Sequence, residues 1–460
     1  MTSTPIGRIS PAAADSPFWN RHAETMPRER LDELHLHRLK ALVRYVWDYS
    51  PFYRQRFEDA GVHPDDIRTL EDYRTKIPLT DKQDFIQLQQ ADPPYGPTQT
   101  IDFDMMAHHA ETSGTTGVPL AIPYTLYDTM RYGENWCYAY WATGIRPSDS
   151  FYFAFGWGNF AGFWSAYWGV RRFGGRVISG GGLDTKGHIQ AIQRMRPTVL
   201  VSTPTFALRM AAVARDMGVD LADSSIRFTM HAGEPGPTAL PAIRRGLEEA
   251  WGARAGELLG IAEIDAFAPC NSTGDGVHVN ELNCHSWVRD PDTGAETPEG
   301  GIGENIITSY VNSAQPLLNY RSHDLVRPRL SCPSGRTWLK FEGSVLGRTD
   351  FMITLRGTNV YPTAVENILG ETDGVSSNYE LHLTREGDND AMEVRFEPDP
   401  GVPAEQWESM AAQVAEIIRE RLRVGMKLTP VEPESLPRYD LKTRRIFDAR
   451  PKEFRRALDQ

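Results

Sequence analysis

Between residues 150 and 264, short strand-like runs alternate with stretches of helical period, and this alternation limits the chain to a small set of folds. Phe151-Tyr152-Phe153-Ala154-Phe155 is an apolar run ended by Gly156, and Thr198-Val199-Leu200-Val201-Ser202 is a second run ended by Pro204. The next stretch places Phe206, Met210, Val213 and Met217 on one helical face. Ile226-Arg227-Phe228-Thr229-Met230 then reads as a strand, and Leu240, Ile243, Leu247 and Trp251 form the stripe of another helix. This rhythm predicts a parallel sheet covered by helices. Chemistry in such sheets sits in the loops after the strand C-termini, where His231-Ala232-Gly233-Glu234-Pro235 and Gly260-Ile261-Ala262-Glu263 both fall.

The flanks differ. Residues 28–90 read as helical, with Leu31, Leu34, Leu39 and Leu42 on a repeating face before a break at Ser50-Pro51. A second composition begins near Gly347. There Met392, Val394 and Phe396 alternate with Glu393, Arg395 and Glu397 as in a half-buried strand, and Trp407, Met410, Val414 and Ile417 mark an amphipathic helix. At 460 residues the chain is too long for one core. The fold expected is α/β: a large N-terminal domain with helix-covered sheets over residues 1–346 and a small α+β C-terminal domain over 347–460.

Composition narrows the partners. With 49 Lys+Arg against 61 Asp+Glu the net charge is −12, which argues against nucleic acid or an anionic membrane as the main partner. No stretch approaches eighteen uninterrupted apolar residues, so no membrane span is expected. Met1 to Phe18, rich in Pro, Ser and Ala, reads as a disordered lead and not a signal peptide. Four scattered cysteines make no disulfide framework, and a reducing cytoplasm is the expected location.

Thr112-Ser113-Gly114-Thr115-Thr116-Gly117-Val118-Pro119 has the makings of a phosphate-gripping loop. Hydroxyls and glycines leave backbone N–H groups free to approach a polyphosphate, and Val-Pro then forces extended backbone into a strand at Leu120-Ala121-Ile122-Pro123-Tyr124. A P-loop NTPase needs Lys where Val118 stands, which disfavours a kinase or ATPase.

Read in order, these segments resemble the adenylate-forming superfamily and, within it, the phenylacetate–CoA ligase branch. The resemblance runs through Ser50-Pro51-Phe52-Tyr53-Arg54, Ile77-Pro78-Leu79-Thr80-Asp81-Lys82, Ser113–Gly117, Gly233-Glu234-Pro235, Tyr320-Arg321-Ser322-His323-Asp324-Leu325, Gly347-Arg348-Thr349-Asp350 and Arg356-Gly357-Thr358-Asn359-Val360-Tyr361-Pro362. It closes on Pro437-Arg438 with Lys442 and Arg445. It implies that a carboxylic acid attacks the α-phosphate of ATP, giving an acyl-adenylate and pyrophosphate, after which the CoA thiol displaces AMP. Ser113, Gly114, Thr115, Thr116 and Gly117 would hold the phosphates, Glu263 a Mg²⁺ ion, and Asp324 the ribose hydroxyls. Arg348 would add a ribose or phosphate contact, and the turn Gly233, Glu234, Pro235 would pack against adenine. Lys442 would neutralise charge as carboxylate and α-phosphate meet. Asp350 matches the hinge about which the small domain moves, and Gly357 a pantetheine channel. The acyl pocket would be walled by Trp157, Phe160, His109 and Ala262, flat surfaces that suit an aromatic acid. The resemblance also implies a homodimer.

Departures from the family pattern bear on the acceptor. Leu441 stands where the lysine motif has Gly, Phe351 replaces the second hinge Asp, Leu259 replaces a tyrosine, and Pro269 stands where Glu is expected. They leave a carrier-protein thiol or an amine as alternative acceptors, and a catalytically silent nucleotide-binding homologue as a third reading. Cys270, His278 and Cys332 match positions at which some members of the branch hold a structural zinc, with Ser334 in place of the fourth ligand.

Overall fold

Ser50 ends one helix, Arg28–Tyr49, and starts the next, Pro51–Asp59. Its hydroxyl accepts the Tyr53 amide, and Pro51 takes the first helical position, where its missing N–H leaves nothing unsatisfied. The expected break therefore comes from a cap and a proline acting together. The computed structural model describes residues 16–112, 118–271, 273–349, 353–355, 358–386, 389–437 and 445–450.

The large domain is built on a six-stranded sheet in the spatial order Arg176–Ser179, Ser150–Phe153, Val199–Ser202, Phe228–His231, Arg254–Ile261 and Asp265–Pro269. The first five strands are parallel, as the alternation predicts. The sixth returns antiparallel in a hairpin with Ile261 opposite Asp265. Side chains alternate between the two faces. Phe151 and Phe153 join the core under the helices Leu126–Thr143 and Ala161–Phe173, while Tyr152 joins the core under Thr185–Met195, Pro204–Asp216 and Pro241–Trp251.

Two helices of this layer approach closely through glycine. A Cβ at Gly169 would lie 2.4 Å from Cβ of Trp136, and one at Gly133 would lie 2.9 Å from the Trp168 carbonyl oxygen. The helix Leu126–Thr143 is held at both ends: Thr125 and Asp128 form a reciprocal capping box, and Gly144 closes it in the left-handed conformation at φ 104°.

A second sheet was not legible in the sequence. The strands Cys284–Arg289, Gly303–Ser309, Tyr320–Val326 and Gly347–Arg348 pair antiparallel. Gly303–Ser309 is buried along its whole length although it contains Glu304, Asn305, Thr308 and Ser309. Polar side chains inside the core hide the period-2 signal on which strand reading depends.

The small domain pairs Lys427–Pro430, Asn389–Pro398, Val375–Glu386 and Ile446–Asp448 under the helices Pro362–Glu371 and Trp407–Leu422. Met392, Val394 and Phe396 are buried as expected. The buried stripe of the helix is Met410, Ala411, Val414 and Ile418, so Ile417 and Trp407 flank it instead of forming it. Among the described residues no helix is long and apolar enough to cross a membrane.

Candidate active site

The turn between Arg254–Ile261 and Asp265–Pro269 carries Ala262 and Glu263 at the C-terminal end of the fifth parallel strand. Glu263 is 8% exposed, and its carboxylate meets Nζ of Lys82 at 3.2 Å. Lys82 opens the helix Lys82–Ala91, whose cap Asp81 accepts the Gln83 amide, while Asp84 accepts the amide of Asp81. The other oxygen of Asp81 receives Nε2 of His323 at 2.8 Å. Burial alone would raise the Asp81 carboxyl, but His323 holds it below its ordinary value.

His323 and Asp324 belong to the strand Tyr320–Val326. Asp324 lies directly opposite Arg348, and Nη1 of Arg348 donates to Oδ1 of Asp324 at 2.9 Å and to the Ser322 carbonyl at 3.2 Å. The Tyr320 hydroxyl ties these groups together. Burial pushes it well above its ordinary value, Glu263 and Asp81 push it further, and Arg348 opposes them. Glu263 and Arg348 thus both act on the Tyr320 hydroxyl, and Asp324 pairs with Arg348. Lys82, Asp81, His323 and Tyr320 were missed as site residues, although the motifs containing them were recognised. Nothing local relates Asp81 to His323, which is 242 residues away.

Gly233 adopts φ +86°, and open space faces the position a Cβ would take, so the conformation and not crowding calls for glycine. Glu234 turns inward to accept the Thr205 amide at 3.2 Å and the Thr205 hydroxyl at 2.9 and 2.8 Å. That anchors the turn, with Pro235 after it, to the first turn of Pro204–Asp216. Ser113, Gly114, Thr115, Thr116, Gly117, Asp350, Gly357 and Lys442 lie outside the described residues.

The aromatic side chains of this segment cluster. Trp157 donates its indole N–H to the Ser179 hydroxyl at 2.7 Å, and its ring lies 5.1 Å from that of Trp164. Phe160 is 39% exposed and lies beside Glu111 through a parallel bridge. Ala262 packs partly buried against the neighbouring core. His109 is engaged by the Tyr95 hydroxyl at 3.0 Å and by Glu111 at 3.3 Å. It is His108 whose ring meets the wall, 5.0 Å from Trp164 and 5.1 Å from Trp168. Adjacent residues of a strand face opposite ways, so only one of the two can do so.

The zinc set is not assembled, and that expectation is corrected. Among the described residues no group of three or more His, Cys, Asp or Glu side chains stands together as metal ligands. Cys270 meets the Thr143 hydroxyl at 3.5 Å in the core, and Cys332 meets the Ser334 hydroxyl at 3.0 Å in its own turn. Burial, with Arg336 and Lys340 nearby, lowers His278 to about 3. A buried imidazole beside two cations is a poor place for a third positive charge.

The AMP-binding enzyme family matches residues 57–313, and the AMP-binding enzyme C-terminal domain matches 357–450. A phenylacetate–coenzyme A ligase of Thermus thermophilus is 33% identical over 93% of this chain and 98% of its own length. The crystal structure of a 2-hydroxyisobutyryl-CoA ligase in its postadenylation state, with 2-HIB-AMP, superposes with TM-score 0.88 at 28% identity over 96% of this chain and 94% of that one. The same ligase in its thioesterification state, with 2-HIB-AMP and CoA, superposes with TM-score 0.72 at 29% identity, over 95% and 94%. Matched by these family models and, along nearly its whole length, by phenylacetate–CoA ligases at 30–33% identity, the chain belongs to the adenylate-forming AMP-binding enzyme family, on the phenylacetate–CoA ligase branch.

Proposed function

We propose that this chain is an AMP-forming acid–CoA ligase, which adenylates an aromatic carboxylic acid with ATP and then transfers the acyl group to CoA. The observation that carries the reading is the placement of Glu263 in the hairpin at the end of the parallel sheet and of the Asp324–Arg348 pair across the strand Tyr320–Val326, with Glu263 and Arg348 both close enough to act on the Tyr320 hydroxyl. Asp324, 4% exposed, is prealigned by Arg348 to accept the ribose hydroxyls. The Gly233–Pro235 turn, fixed through Glu234 to Thr205, offers backbone to the adenine.

Glu263 would supply one carboxylate to a Mg²⁺ ion held together with the nucleotide's phosphates, a kind of donor that suits this metal. Bound there, Mg²⁺ would offset charge on the phosphates. Lys442 from the small domain stabilises the charge that develops as the acid's carboxylate attacks the α-phosphate. The phosphate loop Ser113–Gly117 orients the leaving pyrophosphate.

We read the boundary between the domains at residues 346 and 347, just ahead of the strand Gly347–Arg348 that still pairs with Tyr320–Val326, with Asp350 as the hinge and Gly357 lining the thiol's path after rotation. The higher similarity to a postadenylation state than to a thioesterification state favours the described arrangement as the adenylating one. A homodimer is part of the reading by kinship with the branch. The substitutions Leu259, Pro269 and Leu441 keep a carrier-protein thiol or an amine as the alternative acceptor.

Pyrophosphate release from ATP, measured against aromatic, arylacetic and aliphatic acids with and without CoA, tests the reading. Release with an aromatic acid and a CoA-dependent thioester supports it. Release independent of CoA moves the reading to the other acceptors, and ATP binding without any release favours a silent homologue.

A further inference from the structure

Among the described residues, three buried polar atoms near the aromatic wall have no hydrogen-bond partner: Oδ2 of Asp265, the hydroxyl of Tyr124 and Nε2 of His108. Buried polar groups in folded proteins are nearly always bonded, so several unbonded atoms in one neighbourhood point to a missing partner. Asp265 is 3% exposed and Tyr124 1%. Asp265 holds φ +64°, a left-handed conformation that Asp tolerates better than most residues, and its Oδ1 is already committed to the Ala266 amide at 2.7 Å. That leaves Oδ2 free.

These groups share one location. Tyr124 packs 5.4 Å from Tyr132, 5.7 Å from Trp168 and 6.0 Å from His108, between ring centroids. The Asp265 carboxylate is close enough to act on the hydroxyls of both Tyr124 and Tyr132, and it lies beside Ser165, on the same helix as Trp164 and Trp168, whose hydroxyl donates to the Gly162 carbonyl and accepts from the Trp136 indole. Asp265 stands two residues beyond Glu263 in one hairpin and directly opposite Ile261. Trp164 meets both His108, at 5.0 Å, and Trp157, at 5.1 Å between ring centroids, so this neighbourhood adjoins the proposed acyl wall. No lysine or arginine is hydrogen-bonded or ion-paired to Asp265 among the described residues.

We propose that Asp265, Tyr124 and His108 form the inner end of the acyl pocket and select an aromatic acid whose ring bears a hydrogen-bond donor, an amino or hydroxyl group, remote from the carboxylate. This selection rests on the ligase reading above. Oδ2 of Asp265 accepts from that donor, and the Tyr124 hydroxyl and His108 Nε2 complete its bonds. A methyl group of the same size would leave all three atoms unbonded, which is the strongest kind of discrimination a pocket can offer.

The test compares pyrophosphate release for matched ring-substituted acids bearing amino, hydroxyl or methyl at the same position, in the native chain and in Asp265→Asn and Tyr124→Phe. Asn tolerates the left-handed backbone, and Phe keeps the ring packing, so both variants should fold. In the native chain the amino or the hydroxyl acid should exceed the methyl acid by at least about tenfold in kcat/KM, and both variants should shrink that ratio. Whichever of amino or hydroxyl gives the larger ratio identifies the donor. Release with equal use of the methyl acid, or a ratio untouched by both variants, overturns the selection and leaves the ligase reading intact. Silence with every acid removes the ligase reading and the selection with it.

Discussion

Lys82 and Glu263 meet at 3.2 Å although they come from the first turn of a helix and from a hairpin 181 residues further along the chain. The carboxylate proposed to hold Mg²⁺ therefore has a resident cation beside it. An ammonium and a divalent cation compete for the same oxygens, and the ammonium keeps the buried carboxylate compensated before nucleotide arrives. Lys82→Ala should lower the Mg²⁺ concentration for half-maximal pyrophosphate release by roughly threefold or more, while reducing the maximal rate. Titrating Mg²⁺ against both proteins decides the point, and an unchanged half-saturation would show that Lys82 does not share the metal's oxygens.

Asp324 and Arg348 face each other across paired strands. Charge-assisted hydrogen bonds of this kind contribute about 1.5–3 kcal/mol. Asp324→Asn should raise the KM for ATP by roughly tenfold to a hundredfold and leave the KM for the acid within a factor of about three. Steady-state kinetics with each substrate varied separately reads both, and equal effects on the two would place Asp324 in the structure and not at the ribose.

The roles proposed for Lys442 and Gly357 divide the two half-reactions between them. Lys442→Ala should cut adenylate formation by about a hundredfold or more, the scale of losing one oriented stabilising group, while thiol transfer from supplied acyl-adenylate persists. Gly357→Trp should do the reverse. Isotope exchange between pyrophosphate and ATP, beside thioester formation from supplied adenylate, separates the two, and parallel loss in both assays would refute the division.

Gly169 and Gly162 lie on one helix with opposite surroundings. A Cβ at Gly169 collides with Trp136, whereas nothing lies within 4 Å of one at Gly162. Gly169→Ala should cost about 1–3 kcal/mol through overpacking, and Gly162→Ala should gain about 0.5–1 kcal/mol from helix propensity. Urea midpoints of the two variants should move in opposite directions.

His231 is fully buried, and burial lowers it to about 4 despite the Ser202 carbonyl that accepts from its Nδ1. Above pH 6.5 the ring is neutral in folded and unfolded chains alike, and the fold bears no cost. As pH falls from there to about 4, the unfolded chain takes up a proton that the folded one refuses, so stability declines by up to about 3 kcal/mol. His231→Asn, which keeps a donor for Ser202, should flatten that decline. Urea midpoints at about pH 7 and about pH 4.5 for both proteins measure it.

The parallel sheet was legible because its strands are short apolar runs between amphipathic helices, and each such segment announces itself within a dozen residues. The turns carrying Glu263 and Gly233 followed from strand order alone. The antiparallel sheet of Gly303–Ser309 and Tyr320–Val326 was not legible, because Glu304, Asn305 and Asp324 are buried in it and break the pattern that marks a strand. The zinc reading failed for the opposite reason. Matching positions in sequence carried no information about the hydroxyls of Thr143 and Ser334 or the cations Arg336 and Lys340, which those side chains meet instead.

By itself the sequence determined the two-part α/β plan, the family and the presence of Glu263, Asp324 and Arg348, since these depend on local periodicity and ordered short motifs. Tertiary structure alone decided that Lys82 guards Glu263, that Asp81 holds His323, and that His108 in place of His109 meets the aromatic wall. It also left one Asp265 oxygen without a partner among the described residues. Each of these is a meeting of side chains distant along the chain or a choice between faces of one strand, settled by packing and desolvation once the layers close.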